Sequence, residues 1–141
     1  MTGGEVALPL SWRSYARAAF FAGMLIVFGG SALVGSGGVL RWIGLVLFTI
    51  GLVAAVDFAM YTPRWRLADD DLHVPRVWSP SRTLGVSTKW QPEMTDLGRR
   101  DSMFVAETTD GAEHVTPNVM VARSDVIQWL FLIGEARRSA T

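Results

Sequence analysis

Hydrophobic and polar residues are distributed unevenly along this chain, and the distribution changes at about residue 61. Ala18 to Val34 and Trp42 to Val56 are two apolar runs without a charged residue, separated by the Gly-rich segment Gly35 to Gly38. Seventeen helical residues cover roughly 26 Å, and a few flanking residues extend this to the ~30 Å of a bilayer core. The pattern predicts a transmembrane helical hairpin over residues 15–61, with helices at about 16–34 and 39–61.

Two other interpretations of the apolar runs are less consistent with the pattern. A cleaved signal peptide has a shorter apolar region, and a second apolar run follows here directly. A pair of buried helices in a soluble protein needs more surrounding chain than the remaining residues provide. The charge-free lengths therefore favour the membrane hairpin.

The arginines predict the orientation of this hairpin. Arg13 and Arg17 precede the first helix, Arg41 alone lies near the turn, and several arginines follow the second helix. Positive charges favour the cytoplasmic side, so residues 1–14 and the C-terminal part are expected in the cytoplasm. The expected membrane-interface residues combine aromatic rings with positive charge, and they are Trp12, Tyr15, Arg17, Tyr61, Arg64, Trp65 and Arg66.

Asp57 and the small residues of the two helices are candidates for contact with another membrane protein. Asp57 lies about one turn inside the predicted boundary, where it either reaches the interface, pairs with Arg17, contacts a partner or carries a proton. Small residues allow helix backbones to approach closely, and the helices contain more of them than one hairpin face requires. The candidate partner contacts are Gly23, Gly29, Gly44 and Gly51, together with Asp57.

Residues 62–141 have the pattern of a small cytoplasmic α+β domain. Asp69 to Asp71 separate two short apolar-alternating segments and predict a hairpin turn. Arg82 to Trp90 is a further strand candidate, Gln91 to Asp101 is expected to be a loop, and Asp110-Gly111 predicts a second hairpin. Pro117 is expected to bend or end the last strand, or to place it at an edge.

The last segment, residues 124–138, is predicted to be a helix. Ser124 is a suitable N-cap, Asp125 suits the first turn, and the two final arginines suit the last. Its centre is apolar nearly all round and too short to span a bilayer. The helix therefore either packs in the core of the domain or exposes Trp129 and Phe131 to a membrane or a partner.

The order of these elements resembles the small bacterial membrane proteins that carry a pleckstrin-homology-like (PH-like) domain. In those proteins an aromatic-Arg-Leu strand, an acidic turn and a second strand ending in Arg follow the membrane hairpin. The matching residues are Trp65, Arg66, Leu67, Asp69 to Asp71, Leu72, Val74 and Arg76. The chain has about five recognisable strands where that fold has seven, and the resemblance implies an antiparallel PH-like sheet with a binding or assembly function rather than catalysis.

Composition narrows the functional classes. The net charge is zero, which argues against nucleic-acid binding, and the absence of Cys excludes disulfides and thiolate chemistry. Only Lys89 among the 13 basic residues is lysine, a bias typical of GC-rich bacterial, actinobacterial-like genomes. His73 and His114 have no third ligand at metal-binding spacing, so no metal or cofactor is expected.

These observations predict a non-catalytic accessory or assembly subunit of a larger bacterial inner-membrane complex, either a transporter of lipids or solutes or a respiratory complex. The expected partners are an integral membrane protein complex and the phospholipid bilayer, without nucleic acid or an identified small-molecule substrate. The alternative is a free-standing membrane-anchored protein that senses lipid or acts as a scaffold. An enzyme with an unrecognised site is the third hypothesis, but no known catalytic motif occurs.

Overall fold

Two long antiparallel helices and a small α+β region make up the fold. A computed structural model describes residues 5–92, 103–118 and 120–140. Most of the predicted loop at Gln91 to Asp101 lies outside the described residues. The helices are α1 (Trp12–Gly35), α2 (Val39–Val56) and α3 (Arg123–Ala140), and the strands are β1 (Val6–Ala7), β2 (Arg66–Ala68), β3 (Asp71–His73), β4 (Thr83–Gly85), β5 (Phe104–Thr108) and β6 (Gly111–Val115).

The predicted helical hairpin is confirmed as two long, packed, apolar helices. Glycines allow the close approach, because an added Cβ at Gly29 would lie 2.5 Å from the backbone nitrogen of Phe48. An added Cβ at Gly44 would lie 2.7 Å from the Gly29 carbonyl oxygen. The first helix begins at Trp12, four residues before the predicted start.

The second helix is not regular up to its predicted end at about residue 61. Its α-helical part ends at Val56, and a π-helical turn, Asp57–Tyr61, and a 3₁₀ turn, Thr62–Arg64, continue the chain into β2. The Thr62 hydroxyl donates a hydrogen bond of 3.2 Å to the Asp57 carbonyl. Such irregular turns re-aim the chain at the point where it leaves the helix.

The strands form an antiparallel meander in two connected parts. The first sheet has the order β1-β2-β3-β4, and the second is the β5-β6 hairpin. A bridge between Val86 and Thr108 joins them, together with a 2.8 Å hydrogen bond from the Ser87 amide to the Glu107 carbonyl. Both predicted turns are confirmed: β2 pairs with β3 across the aspartates, and β5 pairs with β6 across Asp110-Gly111.

The turn residues explain why the two hairpins form where they do. Asp69 has a φ of 54°, a conformation that Asp tolerates better than most residues, and Gly111 has a φ of 131°. The β6 strand ends at Val115, two residues before Pro117, which has no amide hydrogen for a ladder.

The N-terminal segment contributes a strand that the sequence pattern did not predict. Residues Val6–Ala7 pair with β2, and the Leu8 amide donates a 2.9 Å hydrogen bond to the Trp65 carbonyl. Leu8 is buried in the core. The residues before the hairpin therefore belong to the same sheet as the residues after it.

Helix α3 covers the sheets with its apolar side. Trp129 is fully buried; its ring meets Phe104 edge-on at 5.9 Å between centroids and Trp65 at 6.2 Å. The Trp129 indole N–H donates to the Val6 carbonyl at 3.1 Å, which satisfies the polar atom of a buried indole. The helix begins at Arg123, so Ser124 is its second residue and not its N-cap.

Candidate functional site at the hairpin junction

Asp57 lies at the end of α2 and is buried, with 3% of its surface exposed. Its carboxylate accepts hydrogen bonds from the Val77 amide at 3.0 Å and from the Asn118 side-chain amide at 2.8 Å. The Arg76 guanidinium lies 3.6 Å from the same carboxylate. A buried charge requires such partners. Arg76 and Val77 lie between β3 and β4, Asn118 lies between β6 and α3, and none of the three belongs to α1.

Arg76 connects this carboxylate to the aromatic residues of the junction. Its guanidinium lies 5.1 Å from the ring centroid of Trp65 and 5.4 Å from that of Trp78, and it donates to the Thr116 carbonyl. Burial lowers the pKa of Arg76 from its ordinary value, and the neighbouring Asp57 carboxylate partly opposes that shift. The guanidinium nevertheless keeps its charge at neutral pH because arginine is so basic.

A second buried carboxylate joins the beginnings of α1 and α3. Asp125 accepts hydrogen bonds from the Ser11 amide and hydroxyl, both at 3.0 Å, and from the Ser14 hydroxyl. The Ser14 hydroxyl in turn accepts a 2.8 Å hydrogen bond from the Ala122 amide. One carboxylate therefore serves two helix N-termini, where the helix dipoles favour negative charge.

The two carboxylates attach both helices of the hairpin to the α+β region. Asp57 does so at the end of α2, and Asp125 does so at the start of α1. The residues brought together are up to 114 positions apart in the chain. The junction is thus a set of buried, hydrogen-bonded contacts and not a linker.

The structure brings only some of the predicted interface residues to the surface. Trp12 and Tyr15 are exposed, as are Arg64 and Arg66, and Tyr61 is partly exposed. Trp65 is 2% exposed and donates its indole N–H to the Pro75 carbonyl at 2.9 Å, so it packs in the core instead of facing outward. Arg17 is exposed, with its guanidinium 6.0 Å from the ring centroid of Phe21.

The candidate glycines fall into two groups. Gly29, Gly44 and Gly51 lie between the two helices, where an added Cβ would come within 3.0 Å of the opposite helix. They therefore serve the hairpin itself. Gly23 has no other heavy atom within 4 Å of an added Cβ, apart from its own neighbourhood on the helix.

The two aromatic candidates on α3 differ in burial. Trp129 is in the core, whereas Phe131 is 57% exposed. This decides between the two interpretations of the helix: its apolar side packs in the core, and one aromatic ring remains outside. Only Phe131 of this pair is accessible to a partner.

A cationic crevice lies on the outer face of the first sheet. Its volume is about 560 Å³, and its lining includes the positively charged side chains Arg64, Arg66 and Arg82 together with His73. Arg66 and Arg82 form ion pairs with Glu5 and Glu113. Within the described ranges, no cluster of three or more His, Cys, Asp or Glu side chains has the arrangement of a metal site.

Sequence reasoning missed Arg76, Asn118, Ser14 and Trp78 as junction residues. Asn118 is the only asparagine of the chain, a weak signal, since nothing in its local sequence indicates Asp57 as its partner. Comparison of the chain with family models, curated proteins and solved structures found no match, so it assigns these residues no role. Fold and site together define a class only: a hairpin of two long apolar helices joined through buried carboxylates to a small α+β region.

Proposed function

We propose that the hairpin spans a bacterial inner membrane twice and holds a small PH-like domain on the cytoplasmic side. The two helices are long and apolar enough to cross a bilayer. Their outer surfaces support the proposal further, because large apolar side chains such as Phe20, Val27, Phe28 and Ile43 are exposed there. Soluble monomers rarely expose a continuous apolar surface of this extent to water.

The position of both termini agrees with this topology. The β1 strand before α1 and the α3 helix at the C-terminus both pack with the sheets at one end of the hairpin. Both termini therefore lie on one side of the proposed membrane, and the arginine distribution favours the cytoplasm for that side. The Gly-rich turn would lie on the opposite side.

A pair of reporter fusions tests the topology. Alkaline phosphatase fused after Thr141 should be inactive, because the enzyme needs the oxidising side of the membrane. The same enzyme inserted after Gly37 should be active, and this insertion is the matched control for expression. An active fusion at Thr141 contradicts the cytoplasmic placement of the α+β region.

The function that best fits this architecture is a non-catalytic accessory or assembly subunit of a larger membrane complex. The observation that supports this proposal is the junction at Asp57, where Arg76, Val77 and Asn118 hold the α+β region at the end of α2. A domain held in this way presents its surfaces at a defined height and angle above the membrane. That property suits a subunit that docks beside a transporter or a respiratory complex.

Gly23 offers the means to test docking. Native mass spectrometry after mild detergent extraction should find a stoichiometric, larger membrane partner. Gly23→Leu should release that partner while leaving the hairpin intact, because an added Cβ at this position meets no heavy atom of the opposite helix within 4 Å. Gly44→Leu is the comparison variant, since it should disturb the hairpin itself.

Two results would argue against the accessory-subunit proposal. Recovery of the protein alone, without a partner, is the first. The second is a partner that remains bound to the Gly23→Leu variant and to a Phe131→Ala variant, since Gly23 has open space beside it and Phe131 is exposed. The first result, combined with copurified phospholipid, would favour the alternative below.

The alternative function is that of a free-standing lipid-sensing or scaffold protein. The cationic crevice lined by Arg64, Arg66 and Arg82 favours it, because such a surface next to the end of α2 would attract anionic headgroups. The carboxylates of Glu5 and Glu113 already neutralise part of this charge. The accessory-subunit proposal therefore remains the first choice.

A further inference from the structure

Trp78 lies at the tip of a tight turn that projects from the α+β region beside α2. Paired backbone hydrogen bonds between Arg76 and Ser79, at 3.0 and 3.1 Å, close the turn. The Val77 amide at its tip donates to the Asp57 carboxylate, so the turn is held against the end of α2. Trp78 is 71% exposed, and its ring contacts the Arg76 guanidinium on one side.

The turn and α2 enclose an apolar crevice of about 490 Å³. Thr49, Ile50 and Val53 of α2 form one wall, and Trp78 and Pro117 belong to the other. Thr49 precedes Asp57 by eight residues, so the crevice extends up to ~12 Å from the end of α2 towards the middle of the hairpin. Ile50 and Val53 are also exposed, which makes the crevice continuous with the outer apolar surface of α2.

The exposure of Trp78 contrasts with that of the other tryptophans outside the hairpin. Trp65, Trp90 and Trp129 are each at most 3% exposed and pack in the core. The remaining two, Trp12 and Trp42, are exposed near the ends of the apolar helices. Trp78 is thus as exposed as the two tryptophans of the hairpin, although it belongs to the α+β region.

We propose that the Trp78 turn is a third membrane contact, inserted at the boundary between headgroups and acyl chains, with a phospholipid acyl chain filling the crevice between the indole and α2. The inference rests on the proposed membrane-spanning function. Indole rings favour this depth because one edge is polar and the body is apolar. The Val77 amide at the tip is already satisfied by Asp57, which removes part of the cost of burying a turn in lipid.

A lipid occupant fits the crevice better than a protein segment. The crevice opens onto the outer surface of α2, and in the proposed topology that surface faces acyl chains. Among the described residues that line it, the charged ones are Asp57 and Arg76, which already pair with each other. An apolar chain needs no further hydrogen bonds there, whereas a peptide backbone would.

The absence of cysteine makes a depth measurement straightforward. Single-cysteine variants Val46→Cys, Trp78→Cys and Asp110→Cys of the full chain are labelled with an environment-sensitive fluorophore and reconstituted in phosphatidylcholine–phosphatidylglycerol vesicles. Spin-labelled phosphatidylcholine carries the quencher either near the headgroup or deep in the acyl chain. Val46 lies in the middle of α2, and Asp110 lies at the far end of the second hairpin, so these are the membrane and solvent controls.

The probe at position 78 should be quenched more by the shallow quencher than by the deep one, and the probe at position 46 should show the reverse order. The probe at position 110 should be quenched by neither. Quenching at 46 but none at 78 would overturn the inference while leaving the membrane span intact. No quenching at 46 would overturn the membrane proposal and this inference with it.

A second measurement keeps the native indole in place. In a Trp12→Phe/Trp42→Phe background, Trp78 is the exposed tryptophan of the described residues. Phospholipid brominated near the headgroup should quench its fluorescence, and the quenched component should disappear when Trp78→Phe is added. Equal quenching with and without Trp78 would contradict the inserted turn.

Discussion

Replacing Asp57 with leucine should lower the free energy of unfolding of the α+β region by about 3–5 kcal/mol. The variant leaves the Arg76 guanidinium largely buried without its carboxylate, and it leaves the Val77 amide and the Asn118 side chain without their acceptor. Unpaired buried charges and donors cost much more than the pair contributes when intact. For a region of this size the loss corresponds to a fall in melting temperature of roughly 10 °C or more.

The measurement is thermal unfolding of the full chain in detergent micelles, followed by near-ultraviolet circular dichroism of the buried tryptophans. Asp71→Asn is the matched control, since Asp71 is exposed on β3 and should change stability by less than about 0.5 kcal/mol. The double variant Asp57→Leu/Arg76→Met should recover part of the loss, because it removes the orphaned charge. An unchanged transition in Asp57→Leu would show that the junction does not stabilise the α+β region.

The second large effect is expected at Trp129 of α3, and Phe131 of the same helix serves as its control. Trp129→Asp should unfold the α+β region, because it places a carboxylate in a site with no exposed surface and removes an indole that packs on two aromatic rings. The loss is several kcal/mol, comparable to the total stability of a small domain. Phe131→Asp should leave the transition nearly unchanged, since more than half of that ring is already exposed.

This pair has to be compared in the full chain. A fragment from Arg64 to Thr141 would lack β1, the acceptor of the Trp129 indole at Val6, and the Ser11 and Ser14 partners of Asp125. Such a fragment would be destabilised before any substitution. If Trp129→Asp keeps the same thermal transition as Phe131→Asp, the assignment of α3 to the core is wrong.

The hairpin was predictable because its evidence is local. Two charge-free runs of sufficient length and a Gly-rich link indicate paired apolar helices without reference to any distant residue. The same applies to the turn at Asp110-Gly111, where glycine supplies the positive φ that the turn requires. The predicted start of α1 was late by four residues because Trp12 to Tyr15 are not apolar throughout.

The candidate site was only partly predictable. Asp57 was recognisable as a carboxylate too close to an apolar run to be ordinary. Its partners were not, because Asn118 follows it by 61 residues and Arg76 looks like any arginine after a strand. The exposure of the tryptophans did not follow from their position in the chain: Trp65, predicted at the membrane interface, is buried, whereas Trp78, for which the sequence made no prediction, is exposed.

The sequence alone determined the apolar hairpin, the two β-turns and the existence of a C-terminal helix, since each depends on residue types within one short segment. Only the tertiary structure decided that residues 6 and 7 complete the sheet, that Asp57 and Asp125 hold the hairpin to it, and which tryptophans remain outside. The physical reason is that burial and ion pairing depend on which distant segments meet. The sequence shows the same Asp or Trp whether or not a residue some 60 positions away buries its side chain.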